Sequence, residues 1–156
     1  MLTSVLGAPG AGKSAVAGPL RDTLPTHVVL DWDAFMTPAS TLAGREVKRS
    51  PTTWPAYRRL VRAAVDAVVP APLVLLGVGT PDELADWPID AWILLDCEDG
   101  ERRRRLASRL QACELEDAVS DAARYRALGL PVVDSTGRTP EAVAVELARH
   151  VRRLEG

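Results

Sequence analysis

The sequence predicts a doubly wound α/β domain, a parallel sheet with helices on both faces. Five short runs rich in Val, Ile and Leu, at Leu2–Leu6, His27–Leu30, Leu73–Leu76, Ala91–Leu95 and Pro131–Val133, alternate with stretches of helical periodicity. Parallel strands need a crossover between them, so this alternation reads as a parallel sheet. The runs are nearly continuous in apolar residues, which suits strands covered on both faces. A third observation places a site in this frame. The first run leads directly into Gly7-Ala8-Pro9-Gly10-Ala11-Gly12-Lys13-Ser14, which fits G-x-x-x-x-G-K-[ST], and then into the helical stretch Ala15–Leu24.

A chain of 156 residues suits a single domain over 1–156 with one substantial core. Its formal net charge is −2, and this near-neutral balance argues against nucleic acid as a main partner, since such binding leans on a basic surface. The longest apolar region, Val61–Val78, is broken by Arg62, Asp66, Pro70 and Pro72 and does not read as a membrane span. Cys97 and Cys113 lack metal-type spacing and read as free thiols of a reducing compartment. The first apolar run is short and has no basic leader, so no signal peptide is read and a cytoplasmic location is expected. Monomer and homodimer both remain open.

Between the first strand and the first helix, the glycine-rich turn lets backbone N–H groups converge on an anion, and the helix N-terminus adds further donors and its dipole. Gly7, Gly10, Ala11, Gly12, Lys13, Ser14 and Ala15 are therefore expected to hold the phosphates of a nucleotide, with Lys13 at the β- and γ-phosphates and the Ser14 hydroxyl on Mg²⁺. Of the chain's 19 basic side chains only Lys13 and Lys48 are lysines, and a lysine kept at this position fits a site that wants a compact point charge.

The second run ends in Asp31-Trp32-Asp33. Two carboxylates past a strand end would both reach a cleft there: one could hold hydrated Mg²⁺ while the other orients or deprotonates an acceptor hydroxyl. The alternative is a helix N-cap, since Asp33 precedes Ala34-Phe35-Met36. The segment of about 34–69 is expected on the substrate side. It has a Thr-, Ser-, Gly- and Pro-rich mobile loop before Trp54 and a helix over Pro55–Val69 with Leu60, Val61, Ala64, Val65 and Val68 inward. Arg45, Lys48, Arg49, Arg58, Arg59 and Arg62 concentrate positive charge there, with Trp54 and Tyr57 among them. Trp54 and Arg58 are the candidates for touching a substrate; a core anchor and a wet helix face are the plainer alternatives.

The third run leads into Gly77-Val78-Gly79, where Gly77 and Gly79 would let a substrate approach the backbone; a simple turn explains the same letters. No acid ends this run, so Asp31 is the better metal carboxylate. After the fourth run, Asp99–Leu110 reads as a charged helix on which Arg102, Arg105 and Arg109 share a face. A solvated face is the ordinary role of such a run. Arg105 and Arg109 are the candidates for covering a transferring phosphate, in a lid-like segment of about 102–118. Glu114–Leu128 carries Leu115, Val119, Ala122 and Ala123 on one face. The loop Asp134–Pro140 either passes a purine base, through Thr136 and Arg138, or is a plain strand-to-helix connection. Thr139 as N-cap and Pro140 in the first turn open the last helix, with the stripe Val143, Leu147, Val151 and Leu154.

In order and spacing, GAPGAGKS, VVLDWD, LVLLGVG, ILLDCEDGERRRRLASR and VVDSTGRTPEAV span nearly the whole chain. They resemble a small P-loop kinase of the group of shikimate, gluconate and nucleotide kinases, which includes antibiotic-modifying relatives such as chloramphenicol phosphotransferase. The resemblance implies a P-loop NTPase-type five-stranded parallel sheet in the order 2-3-1-4-5, with ATP and Mg²⁺ as cofactors. It implies Asp31 on the metal side, Asp33 at the acceptor hydroxyl, Arg105 and Arg109 as lid arginines, and Ser135–Arg138 beside adenine. The sequence departs from shikimate kinases in Gly77-Val78-Gly79, which replaces their triple glycine. It departs from nucleoside monophosphate kinases in the short segment Leu110–Glu116, which lacks a second arginine pair.

The function expected from the residues and the resemblance is ATP- and Mg²⁺-dependent transfer of the γ-phosphate to a hydroxyl of a small molecule. A nucleotide-hydrolysing regulatory domain and a nucleoside monophosphate kinase are the alternatives.

Overall fold

The computed structural model describes residues 1–48 and 50–156; Arg49, counted above in the basic segment, lies outside the described residues. Strands β1 (Leu2–Leu6), β2 (Val28–Asp31), β3 (Leu73–Gly77), β4 (Ala91–Asp96) and β5 (Val132–Asp134) form one parallel sheet in the order 2-3-1-4-5. This is the expected sheet and order. The strands run past the apolar letters because main-chain pairing continues beyond them: Asp31 lies opposite Leu76, and Asp96 opposite Asp134. Leu6 pairs with both Gly77 and Leu94, which brings the carboxyl ends of the three middle strands level. In such sheets ligands bind beyond those ends.

The helices are α1 (Lys13–Thr23), α2 (Met36–Ala43), α3 (Trp54–Val68), α4 (Asp99–Leu106), α5 (Ala112–Arg126) and α6 (Pro140–Glu155). Alternate strand residues feed different layers, because successive side chains point to opposite faces. Val5, Val74, Leu76, Ile93 and Leu95 pack under α1 and α6, with Val16, Leu20, Val143, Leu147 and Val151. On the other face Leu2, Leu73 and Leu75 pack with Tyr57, Val61 and Val65 of α3, and Leu6 and Leu94 with Ala122 and Tyr125 of α5. Each fully buried Leu or Val contributes about 1.5–3 kcal/mol, so both layers hold the sheet.

Several local expectations are corrected. Part of the segment read as a mobile loop is the helix α2, closed by Gly44 in the left-handed region (φ 64°). Just after it, Val47 is buried with Trp32 and Tyr57, and its N–H donates to Ser40 Oγ at 3.0 Å. The arginine helix stops at Leu106 rather than Leu110, and α5 starts two residues early on a reciprocal cap between Gln111 and Glu114. Helix α5 buries Ala118, Ala122 and Tyr125; of the expected face Ala122 is buried, Leu115 and Val119 are half-buried and Ala123 is exposed. Tyr125 decides this rotation, since its hydroxyl donates to Val78 O at 2.8 Å. Leu60 and Leu154 are 46% and 43% exposed, so both drop out of the buried stripes predicted for their helices.

Candidate active site

The loop after β1 needs glycine at two points. Gly10 (φ 82°) and Gly12 (φ 102°) occupy the left-handed region, where a Cβ is strained. The loop's inner shape rests on Gly7 N–H donating to Gly77 O and Ala11 N–H donating to Ala8 O, both at 3.1 Å. Gly7 and Ala11 thus build the loop and do not line a cavity. Gly10, Gly12, Lys13, Ser14 and Ala15 line one of about 670 Å³. Helix α1 has no side-chain N-cap and no acid in its first turn, so its terminal amides face that cavity without a protein anion.

Lys13 is 6% exposed and donates from Nζ to Gly7 O at 2.6 Å. Burial lowers its pKa from the ordinary lysine value, and the nearby Asp33 and Asp31 carboxylates oppose that shift. The two acids part company. Asp31 is buried, and its Oδ1 accepts from Asp33 N–H at 3.0 Å, capping a 3₁₀ turn over Trp32–Phe35. The capping alternative weighed for Asp33 therefore belongs to Asp31. The Asp33 carboxylate accepts no hydrogen bond among the described residues, and it lines both this cavity and a second one of about 420 Å³.

The arginines divide by task. Arg105 Nε donates to Glu101 at 2.8 Å, Nη1 to Gly10 O at 3.1 Å and Ser135 Oγ at 3.0 Å, and Nη2 to Ser135 O at 2.8 Å. It therefore ties the phosphate loop to the end of β5. Ser135 Oγ in turn donates to Ala11 O at 2.8 Å. Arg109, exposed after α4, lines the larger cavity and has no ion-pair partner among the described residues. Arg138 lines it too, but it donates to Asp134 O and Glu146; Thr136 does not line it and bonds the Glu98 N–H and Asp134 instead.

A buried brace under the loop escaped the sequence reading. Arg102, fully buried, donates to Pro9 O and to Asp96 Oδ1; Asp96 Oδ2 accepts from Arg126 Nε at 2.6 Å. The available signal was positional: Asp96 ends a middle strand. The helical-face argument put Arg102 with Arg105 and Arg109 but could not tell inward from outward.

The smaller cavity lies between α2, α3, the end of β3 and α5. Of the residues read as substrate candidates, Trp54, Arg58 and Gly79 share its lining; Gly77 does not, and it lies against the Trp32 ring. Arg58 is held by Asp86 at 2.6 Å. Residues not foreseen here are Pro9, Met36, Glu83, Leu84, Asp121 and Tyr125. Pro9, Lys13 and Asp33 belong to the lining of both cavities, so the lysine and the unpartnered carboxylate sit at their junction.

No known family's sequence profile matches the chain, and no curated relative matches it by sequence. Solved structures do match its fold. A tunicamycin resistance protein of Deinococcus radiodurans is 17% identical, with a TM-score of 0.67 over 96% of this chain and 94% of that one. A gluconokinase of Sinorhizobium meliloti is 15% identical, TM-score 0.64 over 98% and 94%. A shikimate kinase of Acinetobacter baumannii, solved with shikimate, is 17% identical, TM-score 0.60 over 99% and 92%. The chain has the fold of these proteins, among them a gluconokinase and a shikimate kinase of the kind its motifs resemble.

Proposed function

We propose that the protein is a small-molecule kinase that moves the γ-phosphate of ATP to a hydroxyl. The observation that carries this reading is the junction: a buried lysine and an aspartate whose carboxylate is unpartnered among the described residues stand where a loop-lined cavity meets one walled in part by Trp32, Trp54 and Tyr125. The larger cavity takes the nucleotide. Its open α1 amides and Lys13 hold the phosphate oxygens, where a buried ammonium acts strongly because water screens it little. Arg109, without a carboxylate partner among the described residues, supplies positive charge over the transferring group, while Arg105 positions the loop.

The residues fit Mg²⁺ as well. Among the described residues no cluster of three or more His, Cys, Asp or Glu is placed to hold a metal, but a phosphate-bound Mg²⁺ keeps waters and takes only one or two protein oxygens. Ser14 Oγ and, through water, Asp31 would provide them; the ion supplies charge neutralisation between the phosphates. Asp33 accepts the proton of the acceptor hydroxyl and aims its oxygen at the phosphorus. Most of the rate enhancement is positioning and charge stabilisation. Among the described residues no helix is long and apolar enough to cross a membrane.

Two measurements on Asp33→Asn test the reading. Turnover should fall by about a hundredfold or more while ATP affinity stays within about twofold. Equal loss of both would return Asp33 to a structural role. In the wild-type protein, ADP release should depend on added hydroxylated acceptors.

A further inference from the structure

On the kinase reading above, we infer that the acceptor is a hydroxylated molecule with a flat apolar ring and no anionic group. The aromatic content of the chain is only 4%, yet it gathers at this cavity. Trp32, Trp54 and Tyr125 line it. Behind them Trp87 stacks on Trp32 with ring centroids 5.4 Å apart, and Tyr57 lies 5.6 Å from Trp54. Trp54 is half-buried, packed on one side against this cluster and lining the cavity on the other. A rigid, half-covered indole is a stacking surface for a planar ring. A freely hydrated polyol would gain little from it.

The charges argue against an acid. Recognition of a carboxylate or phosphate calls for an arginine fork with open donors. Arg58 is the one arginine among the described residues lining this cavity, and its Nη2 is turned to Asp86 at 2.6 Å, which offsets its charge. The other cations of the lining are Lys13, given to the phosphates, and Lys48, an exposed point charge. Glu83 and Asp121 contribute carboxylates to the lining; Glu83 accepts from the Thr80 N–H and hydroxyl, and Asp121 from Arg124 at 2.9 Å. After burial, those two carboxylates are what push Tyr125 up to about 12, so they stand close to the ring that lines the cavity. An anionic acceptor would meet them as like charges, which is specificity by repulsion. Asp33 is left to receive the hydroxyl, at the end next to Lys13.

Calorimetric titration of the protein, held with a non-hydrolysable ATP analogue and Mg²⁺, tests this with three matched probes: phenyl β-D-glucoside, D-glucose and D-gluconate. The phenyl glucoside should bind about tenfold or more tightly than glucose, with gluconate weakest. Trp54→Ala should erase the preference for the ring while analogue affinity is kept, which also shows that the variant folds. Glu83→Gln with Asp121→Asn should strengthen gluconate binding and leave the phenyl glucoside unchanged. The inference is overturned if gluconate binds as tightly as the phenyl glucoside, or if the ring confers no advantage over glucose, including the case in which neither binds. Failure to bind the ATP analogue would instead sink the kinase reading, so the two failures are distinguishable.

Discussion

The two sides of the cleft hold their shape by different means. On the side of the larger cavity, proposed for the nucleotide, the loop is fixed by charge and main-chain hydrogen bonds: Arg105 reaches Gly10 and Ser135, and the buried Arg102 joins Pro9 to Asp96. On the side of the smaller cavity, proposed for the acceptor, Trp54 and Trp32 are backed by a cluster of rings with Tyr57 and Trp87 and by apolar contacts from α3. Directional bonds suit a ligand part that never varies, the polyphosphate. Stacking and shape suit the part on which specificity depends. Substitutions on one side should therefore leave the other nearly intact.

The largest expected effect is at the junction. Lys13→Met should lower turnover by about a thousandfold or more. It should also raise the stability of the nucleotide-free protein, because a buried ammonium is removed; about 1 kcal/mol would appear as about 2–4 °C in Tm. The pH dependence has a definite sign. Lys13 titrates below the ordinary 10.5 in the folded state, so between its folded value and 10.5 the unfolded chain binds more protons and stability rises with pH. Thermal scans of wild type and Lys13→Met across that window should show the rise in the wild type relative to the variant. A variant less stable at every pH would contradict the burial argument.

Next comes the brace. Asp96→Ala leaves Arg102 buried with its carboxylate partner gone, and loss of one partner of a buried pair costs about 3–5 kcal/mol. Chemical denaturation should report that loss. Where the variant still folds, its nucleotide affinity should fall while affinity for an acceptor-side probe holds. Trp54→Ala should raise the acceptor KM about tenfold with little change in nucleotide affinity, the mirror image of the brace variant. The smallest effect belongs to Asp99. Its hydrogen bond from Arg126 holds it below the ordinary aspartate value, so its contribution is present above about pH 4 and fades as pH falls through the depressed value. The pair is partly exposed, and solvent screens it; Asp99→Asn should blunt the acid end of the stability profile only slightly.

The same contrast explains what could be read from the letters. The parallel sheet and the phosphate loop were legible because apolar runs, crossover length and the glycine spacing of the loop are local or nearly local properties; the order of the strands is not local, and it came from the resemblance of the motifs. The acceptor wall was only partly legible. Trp54 and Arg58 stood out, but Tyr125, Glu83 and Asp121 come from segments distant in sequence, and only the rotation of α5 brings two of them in. That rotation hangs on one tyrosine hydroxyl meeting Val78 O. The arginine run was the hardest stretch. Helical spacing separates Arg102 from Arg104, but four adjacent identical side chains do not show which face turns inward, so the burial of Arg102 on Asp96 and the exposure of Arg104 on Glu101 could not be read from them. Helix α2 was missed because its Thr- and Ser-containing sequence looks like a loop, and packing of Met36 and Ala39 against the aromatic cluster decides in favour of helix.

The central claim is that Lys13 and Asp33 serve one transfer between the two cavities. The most direct test follows the γ-phosphate itself. ATP labelled at that position is incubated with the protein and a protein-free extract of small metabolites, and the label is partitioned between organic phosphate and inorganic phosphate. The account predicts label in an acid-stable phosphomonoester that forms with wild type and not with Asp33→Asn, although both bind ATP. Label released wholly as inorganic phosphate, at the same rate with or without the extract, would contradict it.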